Sequence, residues 1–265
     1  MKNGYAVFIA VLIALGASWA GLVVGATRQL GTAKLTTVLN STDPYPIQRT
    51  GDATLGLQVY RANGCAACHT EQVRQDGVAF EVILTAPGKN PVAVTNLLST
   101  LKLSGLTKEE ADATSDQLTA AGAKAETHLS ATGADISQGW GTRRSVAADF
   151  IYDVPVQLGN LRVGPDLADI GTRLGDANVQ LLHLYAPKSV VANSAMPSFK
   201  FLFEVRPVGA TPSADALQLP AGLAPAAGYE VVPKPEAKQL VAYLLSLHAN
   251  VPLYEAPFTP ITAKP

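Results

Sequence analysis

A chain of 265 residues with one membrane segment has room for a single soluble domain of about 200 residues, large enough for one core. Its net charge of −1 and 15% of charged residues provide neither a basic field for nucleic acid nor a solvating acidic tail, so nucleic acid is excluded as a partner. The 48% of hydrophobic residues is more than one anchor explains and points to domain surface covered by other subunits.

Residues Gly4 to Ala26 form an uncharged apolar run that as a helix would reach about 35 Å, enough to cross a bilayer. The alternative is a cleaved secretory signal, for which Ala17-Ser18-Trp19-Ala20 offers a site. A signal usually has a clear basic start and an apolar stretch of about 7–15 residues, whereas here only Lys2 precedes a longer run. We read residues 1–28 as an uncleaved, single-pass anchor. Residues 29–51 hold Gly31, Pro44, Pro46 and Gly51 among Thr, Ser and Asn and read as a linker. The domain is expected to span 52–250, leaving 251–265 as a C-terminal tail.

At the start of the domain, Asp52 can cap a helix whose Leu55, Gly56, Val59 and Tyr60 share a face, ending at Asn63-Gly64. Glycine inside a helix costs about 1 kcal/mol against alanine, so Gly56 marks the close approach of a second helix. The sequence Cys65-Ala66-Ala67-Cys68-His69 follows at once. Cysteines three apart on one turn can both reach the vinyl groups along one porphyrin edge, and the adjoining histidine then lies under the iron. C-x-x-C alone also suits a redox dithiol or half a zinc site, but no second cysteine pair exists and a histidine completes the motif. With only two cysteines in the chain, thioether attachment of one haem c would leave no disulfide, and the haem would be the covalent staple of the domain. Attachment of this kind belongs to the outer face of the bacterial membrane, which orients the anchor with its N-terminus inside.

Farther along, Thr107 and Glu110 make a capping box, with Glu109 and Asp112 nearby, predicting a helix from about Lys108 to Ala121. Its polar and Ala-rich composition places it on a surface excursion at about 78–139. His69 supplies one axial ligand, and Met196, in Ala195-Met196-Pro197-Ser198-Phe199, is the candidate for the other. Pro197 keeps this stretch a loop, and a thioether is soft, uncharged and favours Fe(II). The alternative for Met196 is a core residue filling a gap. Of the other histidines, His183 reads as a satisfied core or interface residue, His128 as solvated in a polar helix, and His248 as the end of the last helix. Pro235 and Glu236 open that helix, whose inner side carries Ala237, Leu240, Val241, Leu244 and Leu247. The expected architecture is all-α, with long loops around the haem edge.

Taken together, Gly56-x-x-x-Tyr60, the Cys65 to His69 motif, Gly164-Pro165-Asp166-Leu167, Met196-Pro197 and Leu240 to Leu244 resemble the class I cytochrome c fold. The resemblance implies that the first and last helices cross at Gly56 against the Tyr243-Leu244 face. It also implies that the Pro165 carbonyl accepts the proton of the proximal His69, with Gly164 and Pro165 forming part of the haem site.

A narrower resemblance covers His69 to Arg74, Tyr152 to Gly159, Arg162 to Ala168, His183-Leu184 and Asn193 to Phe199. These segments are similar to the monohaem cytochrome subunit, subunit II, of cbb3-type cytochrome c oxidases. Residues 78–139 and the Pro-rich 205–235 depart from it. The resemblance implies electron transfer from a donor cytochrome to the haem–copper catalytic subunit, beside other cytochrome c subunits of the complex. It also implies a place in the plasma (inner) membrane with the haem domain on the periplasmic face. Two rivals remain: the small cytochrome subunit of a nitric oxide reductase, and an open-site haem enzyme such as a peroxidase.

Overall fold

In this computed structural model the described residues are 4–32, 36–37, 42, 44–46, 48–88 and 90–251. The chain opens with helix α1 (Gly4–Trp19), continues through a π-helical segment (Ala20–Gly25) and ends the same rod with α2 (Ala26–Thr32). The stretch Gly4–Gln29 is long and apolar enough to cross a membrane, and its apolar side chains face outward along its length. Two short strands, β1 (Thr36–Thr37) and β2 (Pro44–Tyr45), pair antiparallel. Parts of the expected linker, and all of the expected tail beyond Val251, lie outside the described residues. Where the linker is described it is fastened down. Tyr45 donates its hydroxyl to the His248 carbonyl at 2.6 Å, and Arg49 donates to Ser246 Oγ at 2.9 Å and pairs with Asp153.

Helix α3 (Asp52–Ala62) starts after Gly51, which sits at φ 59°, with Asp52 in the first turn and Arg61 in the last, both favourable to the helix dipole. The cap is therefore Gly51 and not the expected Asp52. The buried face is Gly56, Leu57 and Tyr60, while Leu55, expected on it, is exposed. A difference of two positions turns a side chain by about 200° on a helix, which exchanges the inner and outer faces. The helix stops where Asn63 turns its amide back to the Val59 carbonyl (2.8 Å) and Gly64 adopts φ 66°.

The region expected to be a surface excursion is a small α+β unit with a core of its own. Strands β3 (Gly77–Ala86) and β4 (Lys124–Thr132) form an antiparallel hairpin with Phe80 opposite Leu129 and Val82 opposite Thr127. Helices α4 (Pro91–Leu98) and α5 (Lys108–Ala120) lie between them in sequence, and α5 begins with the expected reciprocal Thr107/Glu110 capping box. The polar helix is not wholly superficial, since Ala111, Thr114 and Leu118 are buried, and Ala111 and Leu118 join Val82, Val94 and Leu106 in one apolar cluster. His128 lies on β4, not on a helix, and is exposed beside Glu126.

The chain then runs through α6 (Ala134–Ser137) and a long loop to α7 (Ile170–Arg173), α8 (Ala177–Tyr185) and α9 (Pro187–Val190). Strands β5 (Phe203–Pro207) and β6 (Tyr229–Pro233) make a third hairpin, which takes in most of the Pro-rich stretch 205–235. Three two-stranded sheets thus accompany the helices among the described residues, which corrects the expectation of an all-α architecture. Alternating apolar residues such as Val78, Phe80, Val82 and Leu84 favour a strand, whose side chains repeat every two residues.

The last helix, α10 (Pro235–Leu245), buries Ala237, Leu240, Val241, Tyr243 and Leu244. It crosses α3 so closely that a Cβ on Gly56 would lie 1.9 Å from the Gln239 carbonyl oxygen and 2.8 Å from Tyr243 Cβ. Glycine is the residue that permits this approach, as its sequence position suggested. The Tyr60 and Tyr243 rings meet beside the crossing with centroids 5.2 Å apart. Leu57, Leu181, Leu184, Phe203 and Val231 complete the main core around this pair of helices. His248 lies beyond the helix end, where its Nδ1 is 2.9 Å from Thr172 Oγ1.

Candidate functional site

The Cys65 to His69 motif hangs from the end of α3. Cys65–Ala67 form one 3₁₀ turn, and the amides of Cys68 and His69 both donate to the Cys65 carbonyl, at 3.1 and 3.0 Å. One turn therefore carries both sulfurs and the imidazole. Cys65 is half-buried against the main core and Cys68 is exposed. Burial pushes the Cys65 thiol up to about 11. Reactive redox cysteines have lowered thiol pKa values, so Cys65 is poorly suited to act as an attacking thiol in disulfide exchange. Among the described residues no group of three or more His, Cys, Asp or Glu side chains converges as metal-ion ligands, which leaves the pair without partners for a zinc site.

The loop 158–168 lies along the motif and holds it. The Asn160 amide donates to the Ala66 carbonyl (3.3 Å), Gly164 to Cys68 (3.0 Å), Glu71 to Leu158 (3.1 Å) and Leu167 to Thr70 (2.7 Å). Gly159 at φ 74° has its α-carbon so near the His69 carbonyl that a Cβ would come within 2.1 Å of it. Gly164 lies against the imidazole itself, and a Cβ there would be 2.2 Å from His69 Cε1. His69 Nδ1 is 2.8 Å from the Pro165 carbonyl oxygen. With a carbonyl as partner Nδ1 must be the protonated nitrogen, so Nε2 keeps its lone pair for a metal.

The structure therefore brings Cys65, Cys68, His69, Gly164 and Pro165 into one place. Met196 sits on a loop after α9, half-buried against the same core cluster that Cys65 and Ala66 touch. That loop is held by the Phe199 amide donating to the Leu184 carbonyl at 2.8 Å and by the Met196 amide donating to Ser194 Oγ at 3.2 Å. His183 on α8, expected to be a satisfied core or interface histidine, is half-buried and not satisfied within the described residues. Its buried Nδ1 has no hydrogen-bond partner among the described residues, and burial first, then the neighbouring His69, hold its pKa below the ordinary value. In the loop that covers the motif, Leu161 and Val163 are exposed, so this margin of the site is apolar.

Two free thiols on one turn, an imidazole whose Nε2 keeps its lone pair and an apolar margin have the chemistry that would suit one haem.

Sequence reasoning passed over the acid next to the motif. Glu71 is 2% exposed and accepts the Tyr243 hydroxyl at 3.0 and 2.8 Å, tying the segment after His69 to the helix crossing. Burial, opposed by the Tyr243 hydrogen bond, pushes its carboxyl up to about 8. The available hint was Tyr243 itself, a hydroxyl on the inner face of α10, which needs a partner when buried.

Residues 135–221 match the family described as cytochrome C oxidase, mono-heme subunit/FixO. The match bears out the resemblance to the monohaem subunit of cbb3-type oxidases. It includes Gly164, Pro165 and Met196 and begins after the Cys65 to His69 motif. No curated protein matches the chain.

Proposed function

With residues 135–221 matched to the cytochrome c oxidase mono-heme subunit family, we propose that this chain is the electron-transfer subunit of a cbb3-type oxidase, a membrane-anchored cytochrome c. It receives electrons from a donor cytochrome and passes them, beside the other cytochrome c subunits, to the haem–copper catalytic subunit. The observation that supports this best is the 2.8 Å contact between His69 Nδ1 and the Pro165 carbonyl. It orients an imidazole as an axial ligand directly after two thiols on one turn.

In this reading Cys65 and Cys68 would hold one haem c, and His69 and Met196 would supply nitrogen and sulfur ligands to its iron. The bound group supplies one-electron chemistry. The protein's task is placement. Pro165 and Gly164 keep the imidazole in one orientation and one tautomer, and the Pro197-bounded loop presents a thioether that loses no proton. The close α3/α10 crossing at Gly56 agrees with a class I cytochrome c fold for residues 52–250. Residues 1–28, with the apolar helix that starts at Gly4, are the single-pass anchor in the plasma (inner) membrane, 29–51 the linker, and the haem domain faces the periplasm.

The test is haem-staining of denaturing gels together with a redox titration. Cys65→Ala/Cys68→Ala is expected to lose covalent haem. Met196→Ala is expected to keep it, to bind carbon monoxide readily, and to titrate at a lower potential. Undiminished covalent haem in the double variant would end the cytochrome reading. A wild type that already binds carbon monoxide as readily as Met196→Ala would favour an open-site enzyme.

A further inference from the structure

Thr70 directly follows His69, and its hydroxyl is used twice. It donates to Asp166 Oδ2 at 2.5 Å and accepts from Arg162 Nε at 2.9 Å. Asp166 has 0% exposure and also accepts the amides of Gln72 and Ala168, each at 2.8 Å. Arg162 reaches on to the Gln72 carbonyl and to Asp135 Oδ1, both at 2.6 Å, with its guanidinium 5.3 Å from the Trp140 ring centroid. The backbone carbonyl of Asp166 in turn accepts from Arg173 Nη2 at 2.7 Å.

These contacts fasten two stretches of chain on either side of the imidazole. On one side lies the segment His69 to Gln72, and on the other Arg162 to Ala168. The peptide joining Pro165 to Asp166 carries the carbonyl that His69 Nδ1 meets. Its direction is therefore set by how Asp166 is held, and Asp166 is held by Thr70, Gln72 and Ala168. This cluster adds side-chain contacts to the backbone hydrogen bonds that already hold the loop on the motif.

We propose that Thr70, Asp166 and Arg162 are positioning residues for His69, which hold the Pro165 carbonyl against Nδ1 and so set the reduction potential of the site. This rests on the haem reading above. A firm Nδ1–H···O=C bond makes the other ring nitrogen a stronger donor, and a stronger donor favours the oxidised metal. Loosening the bond raises the potential. The buried Asp166 carboxylate acts in the same direction by its charge alone, so its removal would mix two effects. Thr70→Val separates them, because it deletes the shared hydroxyl and leaves both charges in place.

The experiment is a potentiometric titration of the haem-loaded, full-length chain, paired with NMR of the His69 Nδ1 proton. Thr70→Val is expected to lower the oxidised-to-reduced ratio at a fixed ambient potential about tenfold, which is about 59 mV for one electron. Exchange of the Nδ1 proton with solvent should quicken in the same variant. Thr70→Ser, which restores the hydroxyl, is expected to return both readings to wild type. Wild-type potential and wild-type exchange in haem-loaded Thr70→Val would overturn the inference, even if the variant melts earlier, and would leave the cluster a fold element alone. If Thr70→Val does not accumulate, Arg162→Lys keeps the charge and removes the fork to Thr70, Gln72 and Asp135. It is read the same way: an upward shift supports the inference and an unmoved potential overturns it. A wild-type chain with no covalent haem on a denaturing gel would instead sink the haem reading and this inference with it, before any potential is measured.

Discussion

Replacing Gly56 by alanine adds one methyl at the point where α3 and α10 touch. That carbon would lie 1.9 Å from the Gln239 carbonyl oxygen and 2.8 Å from Tyr243 Cβ. Ordinary contact begins near 3.4 Å, so the Gln239 backbone must retreat by about 1.5 Å. A backbone carbonyl within a helix cannot rotate aside, so α10 has to move as a body. Its inner face carries Leu240, Val241, Tyr243 and Leu244, all buried in the main core. Overpacking of a core typically costs about 1–3 kcal/mol, and this geometry belongs at the upper end. Alanine returns about 1 kcal/mol through its better helix propensity. The net expectation is a loss of about 2 kcal/mol, which for a domain of about 200 residues lowers the melting midpoint by roughly 4–8 °C. Circular dichroism on the detergent-solubilised chain measures it, at one scan rate for both proteins because unfolding need not be reversible. A midpoint equal to or above wild type would show that only helix propensity had changed, and the close crossing would be refuted.

Two further outcomes follow from other parts of the fold. Leu118→Ala empties part of the separate core formed with Val82, Val94 and Leu106, at a cost of about 2–5 kcal/mol. Amide exchange should accelerate across residues 77–132 while covalent haem and its spectrum stay unchanged; equal acceleration in α3 and α10 would show that the two cores unfold as one. Glu230 accepts the Ser213 amide at 2.7 Å and the Arg206 guanidinium at 2.9 Å, and these, the amide first, hold its carboxyl below the ordinary carboxylate range. A lowered folded-state pKa contributes stability that is present above the unfolded value of about 4.3 and lost as pH falls through the folded one. Glu230→Gln should therefore flatten the acid side of a melting-midpoint-versus-pH curve, and an acid slope identical to wild type would remove Glu230 from the account.

The features legible in the sequence were those whose causes lie within a few residues. The Thr107/Glu110 capping box is a contact across three positions, and the turn carrying Cys65, Cys68 and His69 closes on the Cys65 carbonyl. The inner face of α10 follows from helical spacing, and Gly56 marked a crossing because glycine is costly within a helix unless something must come near. Even there the sequence misjudged a face, placing Leu55 inward where Leu57 is buried. The hairpin β3–β4 was missed although Val78, Phe80, Val82 and Leu84 alternate, because pairing needs a second strand more than forty positions away, Val78 meeting Ala131. The same holds for the candidate site. The thiols and the imidazole are written side by side, but the Pro165 carbonyl lies 96 positions beyond His69, Asp166 lies 96 beyond Thr70, and Tyr243 lies 172 beyond Glu71. Local hydrogen bonds and helical periodicity are properties of short stretches and can be read from them. Which loop covers the imidazole, and which buried acid holds that loop, depends on how distant segments share one interior, where most enclosed polar groups find a partner.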